Sequence, residues 1–270
     1  MRRATGMGYA KINGLSLYYE EHGSGEPLLL LHGGFGSGEM FTPLLPALAA
    51  GRRVVLVDLQ GHGRTADIDR PLRVEQLADD VAALIEYLDL PRVDLMGYSF
   101  GAAVALRTAI QHPGSVRRLV VVSTPAKRAG WYPEAVEAMG RLGVEAAEAM
   151  KQSPIYETYA RVAPRPQDWP VLVGKTADLL KLDYDWTAEV AAVTAPTMLV
   201  FGDADAVRPA HVVEFFGLLG GGLRDPGWDG SGLPAARLAV LPGATHYDIL
   251  TAPTLSAAVL PFLDRPVEAA

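Results

Sequence analysis

Residues 93–106, VDLMGYSFGAAVAL, change their periodicity around a single serine. The run 93–96 is short, apolar and suited to a buried strand, whereas 99–111 reads as a helix stopped by Pro113-Gly114. Between them stands Gly97-Tyr98-Ser99-Phe100-Gly101. A chain that turns at once from strand into helix needs small residues on both sides of the apex, and the apex residue is held in a strained conformation. Such a turn lifts the Ser99 hydroxyl clear of the sheet and sets it at a helix N-terminus, where negative charge is favoured. A serine that merely caps the helix is the plain alternative. Both flanking glycines and the strand–turn–helix context favour Ser99 as a candidate nucleophile.

Outward from this point, short apolar runs at 28–31, 54–57, 119–122, 197–201 and 238–241 alternate with helical patterns at 74–88, from 206 to about 219, and at 249–263. That alternation predicts an α/β fold, a mostly parallel sheet of about eight strands with helices on both faces. The opening differs. Residues 9–12 and 15–20 flank Asn13-Gly14, a strong signal for an antiparallel hairpin at one sheet edge. Residues 126–192 show helical stretches without clear strands, broken by prolines at 133, 154, 164, 166 and 170. The expected organisation is a core of 1–125 and 193–270 with a helical insert at 126–192. Aromatic residues gather in the insert, either to line a pocket or to form its own small core.

The chain has 270 residues, 49% of them apolar, enough for a substantial core. The net charge of −7 disfavours a nucleic-acid groove. Cysteine is absent, which excludes disulfides, thiolate metal sites and a cysteine nucleophile. The N-terminus carries two arginines without an apolar stretch after them, and no run is long enough to span a membrane. A cytoplasmic enzyme with no membrane partner is the expectation.

A serine hydroxyl needs an adjacent base. Of six histidines, His246 in Pro242-Gly243-Ala244-Thr245-His246 follows the last predicted strand, where a loop can reach over the carboxyl ends of the strands. His22 and His112 read as loop and helix-end residues, and His211 as part of a surface helix. His32 and His62 read as loop-orienting residues; no carboxylate cluster supports pairing them as a zinc site. The orienting carboxylate should follow the preceding strand, where Asp203 and Asp205 compete in Gly202-Asp203-Ala204-Asp205. Strand-end position alone leaves both open. The chain order of serine, acid and histidine matches a known hydrolase order.

These segments together resemble the α/β-hydrolase superfamily: HGGFG at 32–36, DLQGHGRT at 58–65, GYSFG at 97–101, GDADAVRP at 202–209 and PGATH at 242–246. The resemblance covers about 10–125 and 194–265, and lies closest to a branch with carboxylesterases, enol-lactonases and cofactor-free haloperoxidase-like enzymes. It implies Asp205 rather than Asp203 as the acid, and a helical cap at 126–192. It also implies an oxyanion hole made by the Phe100 amide together with Gly34, Phe35 being the runner-up. Pocket candidates are Phe35, Tyr98, Trp131, Tyr132 and Met139. Neither cofactor nor metal is expected. The implied activity is hydrolysis of small, largely apolar carboxylic esters. The alternatives are a lactonase or thioesterase with the same triad, and a small-molecule receptor on the same scaffold.

Overall fold

In a computed structural model that describes residues 6–265, eight strands form one sheet. Arg2, Arg3 and residues 266–270, which belong to the expected core boundaries, lie outside the described residues. Strands β1 (Gly6–Ile12) and β2 (Leu15–Gly23) make the antiparallel hairpin. Its turn has φ +46° at Asn13 and +81° at Gly14, the left-handed pair that an Asn-Gly hairpin adopts. The remaining strands are β3 (Glu26–Leu31), β4 (Arg52–Val57), β5 (Val93–Tyr98), β6 (Val116–Val122), β7 (Thr197–Ala204) and β8 (Arg237–Thr245). They run in the order β1-β2-β4-β3-β5-β6-β7-β8, and all contacts from β4 to β8 are parallel.

The helices are α1 (Leu45–Leu48), α2 (Val74–Tyr87), α3 (Phe100–Gln111), α4 (Pro133–Arg141), α5 (Ala147–Met150), α6 (Pro154–Val162), α7 (Trp169–Leu180), α8 (Thr187–Val190), α9 (Pro209–Leu218) and α10 (Pro253–Leu263). Strand alternation sends side chains to two separate cores. Leu29, Leu31, Val55, Val57 and Leu95 pack with Leu77, Val81 and Leu84 of α2 on one face. Leu28, Leu30, Val54 and Leu56 pack with Leu48 of α1 and Leu255 and Val259 of α10 on the other. Each such side chain stabilises the fold by about 1.5–3 kcal/mol relative to exposure. No helix among the described residues is long and apolar enough to cross a membrane.

Three details differ from the sequence reading. The pattern at 249–263 is a short turn of 3-10 helix at Ile249–Thr251 followed by α10, because Pro253 restarts the helix. Strand β8 runs on to Thr245, so His246 follows it directly. His22 lies in β2, not in a loop.

Strands β3 and β5 are neighbours, with Leu31 paired to Gly97, although β4 lies between them in sequence. The chain reverses its direction of strand addition there, so the loops after β3 and β5 meet over the carboxyl ends of the sheet, the usual place for a ligand site. Between β6 and β7 the described residues contain helices α4 to α8 and no strand.

Candidate active site

Ser99 sits between β5 and α3 with φ +51° and ψ −115°, a backbone that costs about 1–3 kcal/mol for a residue with a side chain. Its amide donates to Val122 O at 2.8 Å, and Ala102 and Ala103 donate back to its carbonyl at 3.0 Å. The flanking glycines are required by space. A Cβ at Gly97 would run into the backbone of Gly101, and one at Gly101 into the carbonyls of Leu31 and His32.

The Ser99 hydroxyl donates to His246 Nε2 at 3.0 Å, and His246 Nδ1 donates to Asp205 Oδ1 at 3.1 Å. Strand β5 thus places Ser99, the end of β7 Asp205 and the end of β8 His246. The two competing aspartates differ in burial and in partners. Asp203 is exposed and accepts the Gly243 amide at 2.8 Å, tying the end of β7 to β8. The Asp205 carboxylate is 1% exposed and also accepts from Ser123 Oγ at 2.5 Å and from the Gly202 and Val207 amides at 3.3 Å. Burial raises the Asp205 pKa, but the hydrogen bonds from His246 and Ser123 outweigh it and leave the carboxyl below its ordinary value.

Ser123, which the sequence reading did not single out, is fully buried at the end of β6 with φ +56°. The available cue was a small hydroxyl closing an apolar strand beside the one that carries Ser99. Ser123→Ala is expected to lower stability by about 1.5–3 kcal/mol, the worth of a hydrogen bond to a charged group. It should also lower kcat for the activity proposed below by about tenfold with little change in KM. Urea unfolding and steady-state kinetics check both, and a variant equal to wild type in each would remove Ser123 from the site.

Tyr98, a pocket candidate, is buried. Its ring packs in the core on the α1 and α10 side, and its hydroxyl donates to His246 O at 2.6 Å. Burial pushes this phenol up to about 12, so it remains a donor. Around the imidazole stand Tyr98 at 5.7 Å, Trp131 at 5.4 Å and Tyr247 at 5.4 Å between ring centroids. Trp131 is held by its own Nε1 donating to Tyr184 Oη at 3.1 Å. Tyr132 is 40% exposed and Met139 is half-buried against the α2-side core.

In the loop after β3, Gly36 donates to Gly33 O at 3.1 Å, closing a turn with Gly34 and Phe35 at its corners. A Cβ on Gly34 would lie 3.9 Å from the Phe100 Cβ, so this turn and the start of α3 adjoin. Among the described residues the amides of Gly34, Phe35 and Phe100 donate to no other group.

Beneath the loop, His32 Nδ1 donates to Gly33 O at 2.7 Å while Nε2 accepts the Leu59 amide at 3.1 Å. His62 Nδ1 donates to Gln60 O at 2.8 Å, and its ring lies nearly parallel to Phe100 at 5.6 Å. Burial pushes His32 down to about 4 and His62 to about 3, from 6.5, so both are neutral when folded at neutral pH. As pH falls, the unfolded chain binds protons before the folded one. Stability from these groups is therefore full above about 6.5 and is lost toward pH 4, at up to about 1.4 kcal/mol per group per pH unit. Urea unfolding at pH 7 and pH 5 measures this; a midpoint unmoved across that window would contradict it.

His211 is not on a surface. It is 1% exposed at the start of α9, where Nε2 accepts the Ala126 amide at 3.0 Å and Nδ1 donates to Glu214 at 3.0 Å. It pins the beginning of the insert to the segment after Asp205. Among the described residues no three histidine, aspartate or glutamate side chains gather as a metal site.

A family model described as the alpha/beta hydrolase fold matches residues 26–142. The pimeloyl-acyl carrier protein methyl ester esterase of Neisseria meningitidis is 30% identical over 241 residues, covering 82% of this chain and 87% of that protein. The chain belongs to the α/β-hydrolase family. Two solved structures share its fold. An E-2-(acetamidomethylene)succinate hydrolase superposes with a TM-score of 0.73 at 24% identity, over 98% of this chain and 100% of that one. The enol-lactonase from Burkholderia xenovorans superposes with a TM-score of 0.71 at 22% identity, over 95% and 100%. In this α/β hydrolase the matched family segment contains the loop after β3 and the Ser99 turn, while Asp205 and His246 lie beyond it.

Proposed function

We propose that this α/β hydrolase cleaves carboxylic esters of small, largely apolar substrates through an acyl-enzyme on Ser99. The observation that carries the reading is the unbroken hydrogen-bonded line from Ser99 Oγ through His246 to the buried Asp205, with the serine on a strained turn. In the first step Ser99 Oγ attacks the ester carbonyl carbon while His246 Nε2 takes its proton. Asp205 holds the imidazole tautomer and stabilises the imidazolium. The developing oxyanion is met by the Phe100 amide and by Gly34, with Phe35 next to it. Each such donor is worth about 2.7–4 kcal/mol in comparable sites. The imidazolium returns its proton to the leaving alcohol. Water, deprotonated by His246, then releases the acid.

The aromatic surroundings of His246 and the half-buried Phe35 and Phe100 suit an apolar substrate. Residues 126–192 act in this reading as a cap over a core of 1–125 and 193–270. The chemistry uses no cofactor and no nucleic-acid or membrane partner. Hydrolysis of p-nitrophenyl esters over a series of acyl lengths, wild type beside Ser99→Ala, tests the reading. Turnover that vanishes in the variant and falls with lengthening acyl chains is the expected result. Wild-type rates no higher than those of the variant at every length would sink it.

A further inference from the structure

The loop after β3 holds a conformation that its own sequence resists. Phe35 has φ +60°, a left-handed backbone that a bulky residue adopts only where its surroundings hold it there. From below, His32 secures Gly33 and the buried Asp58 accepts the Gly38 amide at 2.7 Å. Those contacts hold the two ends of the loop and leave its corner free.

The corner is held from above, by the insert. The Phe35 ring packs on Trp169 of α7, with centroids 5.6 Å apart. Trp169 is completely buried, and its Nε1 donates to Ala147 O at 2.9 Å. Tyr156 and Tyr159 of α6 close around it at 5.3 and 5.1 Å. A second grip lies four residues on: Glu39 pairs with Arg161 of α6 and, at 2.7 Å, with Arg64 of the core. Two helices of the insert therefore bear on one short loop.

We infer that Trp169 is a positioning residue for catalysis, which, through the Phe35 ring, keeps the strained turn and its Gly34 and Phe35 amides aimed at the reacting carbonyl. The inference rests on the serine-hydrolase reading above. It assigns the insert a part in transition-state stabilisation in addition to walling the substrate. An interaction used only in the transition state appears in kcat and leaves KM nearly unchanged.

The test uses p-nitrophenyl acetate, whose acyl group ends at one methyl. Trp169→Leu should lower kcat by about tenfold or more, a fraction of what a lost oxyanion donor costs, with KM within about twofold. Trp169→Phe should recover most of that loss. Phe35→Gly supplies the control, because a glycine adopts this turn without a clamp. In the Phe35→Gly background, Trp169→Leu should cost less than about twofold further in kcat. Circular dichroism confirms that each variant is folded; if the leucine variant is not, Phe35→Ala, which removes the ring that Trp169 holds, should show the same loss in kcat with KM unchanged, and no loss there would overturn the proposal. Equal losses in both backgrounds, or a change confined to KM, would overturn the proposal alone. Wild type no faster than Ser99→Ala would overturn the hydrolase reading, and the proposal with it.

Discussion

Ser99→Ala is expected to reduce kcat for p-nitrophenyl ester hydrolysis by about 10⁴–10⁶-fold, the scale on which triad members act as a unit. In the proposed mechanism the hydroxyl is the atom that bonds to the acyl group. Its removal should barely alter stability, since the Ser99 side chain makes no capping bond to α3. Ser99→Gly should go further. It relieves the backbone at φ +51° and should raise stability by about 1 kcal/mol while remaining inactive. Urea unfolding and kinetics on the same preparations separate the two effects. Residual turnover within tenfold of wild type in Ser99→Ala would mean that the acyl-enzyme forms elsewhere or not at all.

The second large effect concerns the two aspartates. Asp205→Asn should lower kcat by about 10⁴-fold, because an amide at this position favours the wrong imidazole tautomer while preserving shape. Asp203→Asn should remain within about threefold of wild type. Its carboxylate is exposed, and its role is to accept one amide from Gly243. Kinetics of the pair at one pH decide the matter, and the reverse ranking would reassign the acid.

The fold was legible because its signals are local. Apolar runs of strand length marked β3 to β8, and Asn13-Gly14 marked the hairpin. Gly97 and Gly101 announced the turn at Ser99, since no other residue fits where backbone meets backbone. His246 was legible from its place after the last strand. What escaped reading depends on contacts between distant segments. Asp203 and Asp205 differ in burial and partners, which depend on β8 and β6 lying alongside. Ser123 stands out because β6 ends beside Asp205. His211 looked like a surface residue until the start of the insert folded onto it. Trp169 was one aromatic among several in the insert, and only its approach to the left-handed Phe35 sets it apart.

The sheet order has a consequence for when the protein becomes active. The imidazole follows β8, the outermost strand on its side, which pairs with β7 alone. During synthesis, Ser99 and the loop after β3 emerge long before His246, so a nascent chain holds the proposed nucleophile before it holds the proposed base. In the proposed mechanism, activity waits for the last strand to dock. Because the proposed base lies just beyond this edge strand, turnover would report whether β8 is docked on β7.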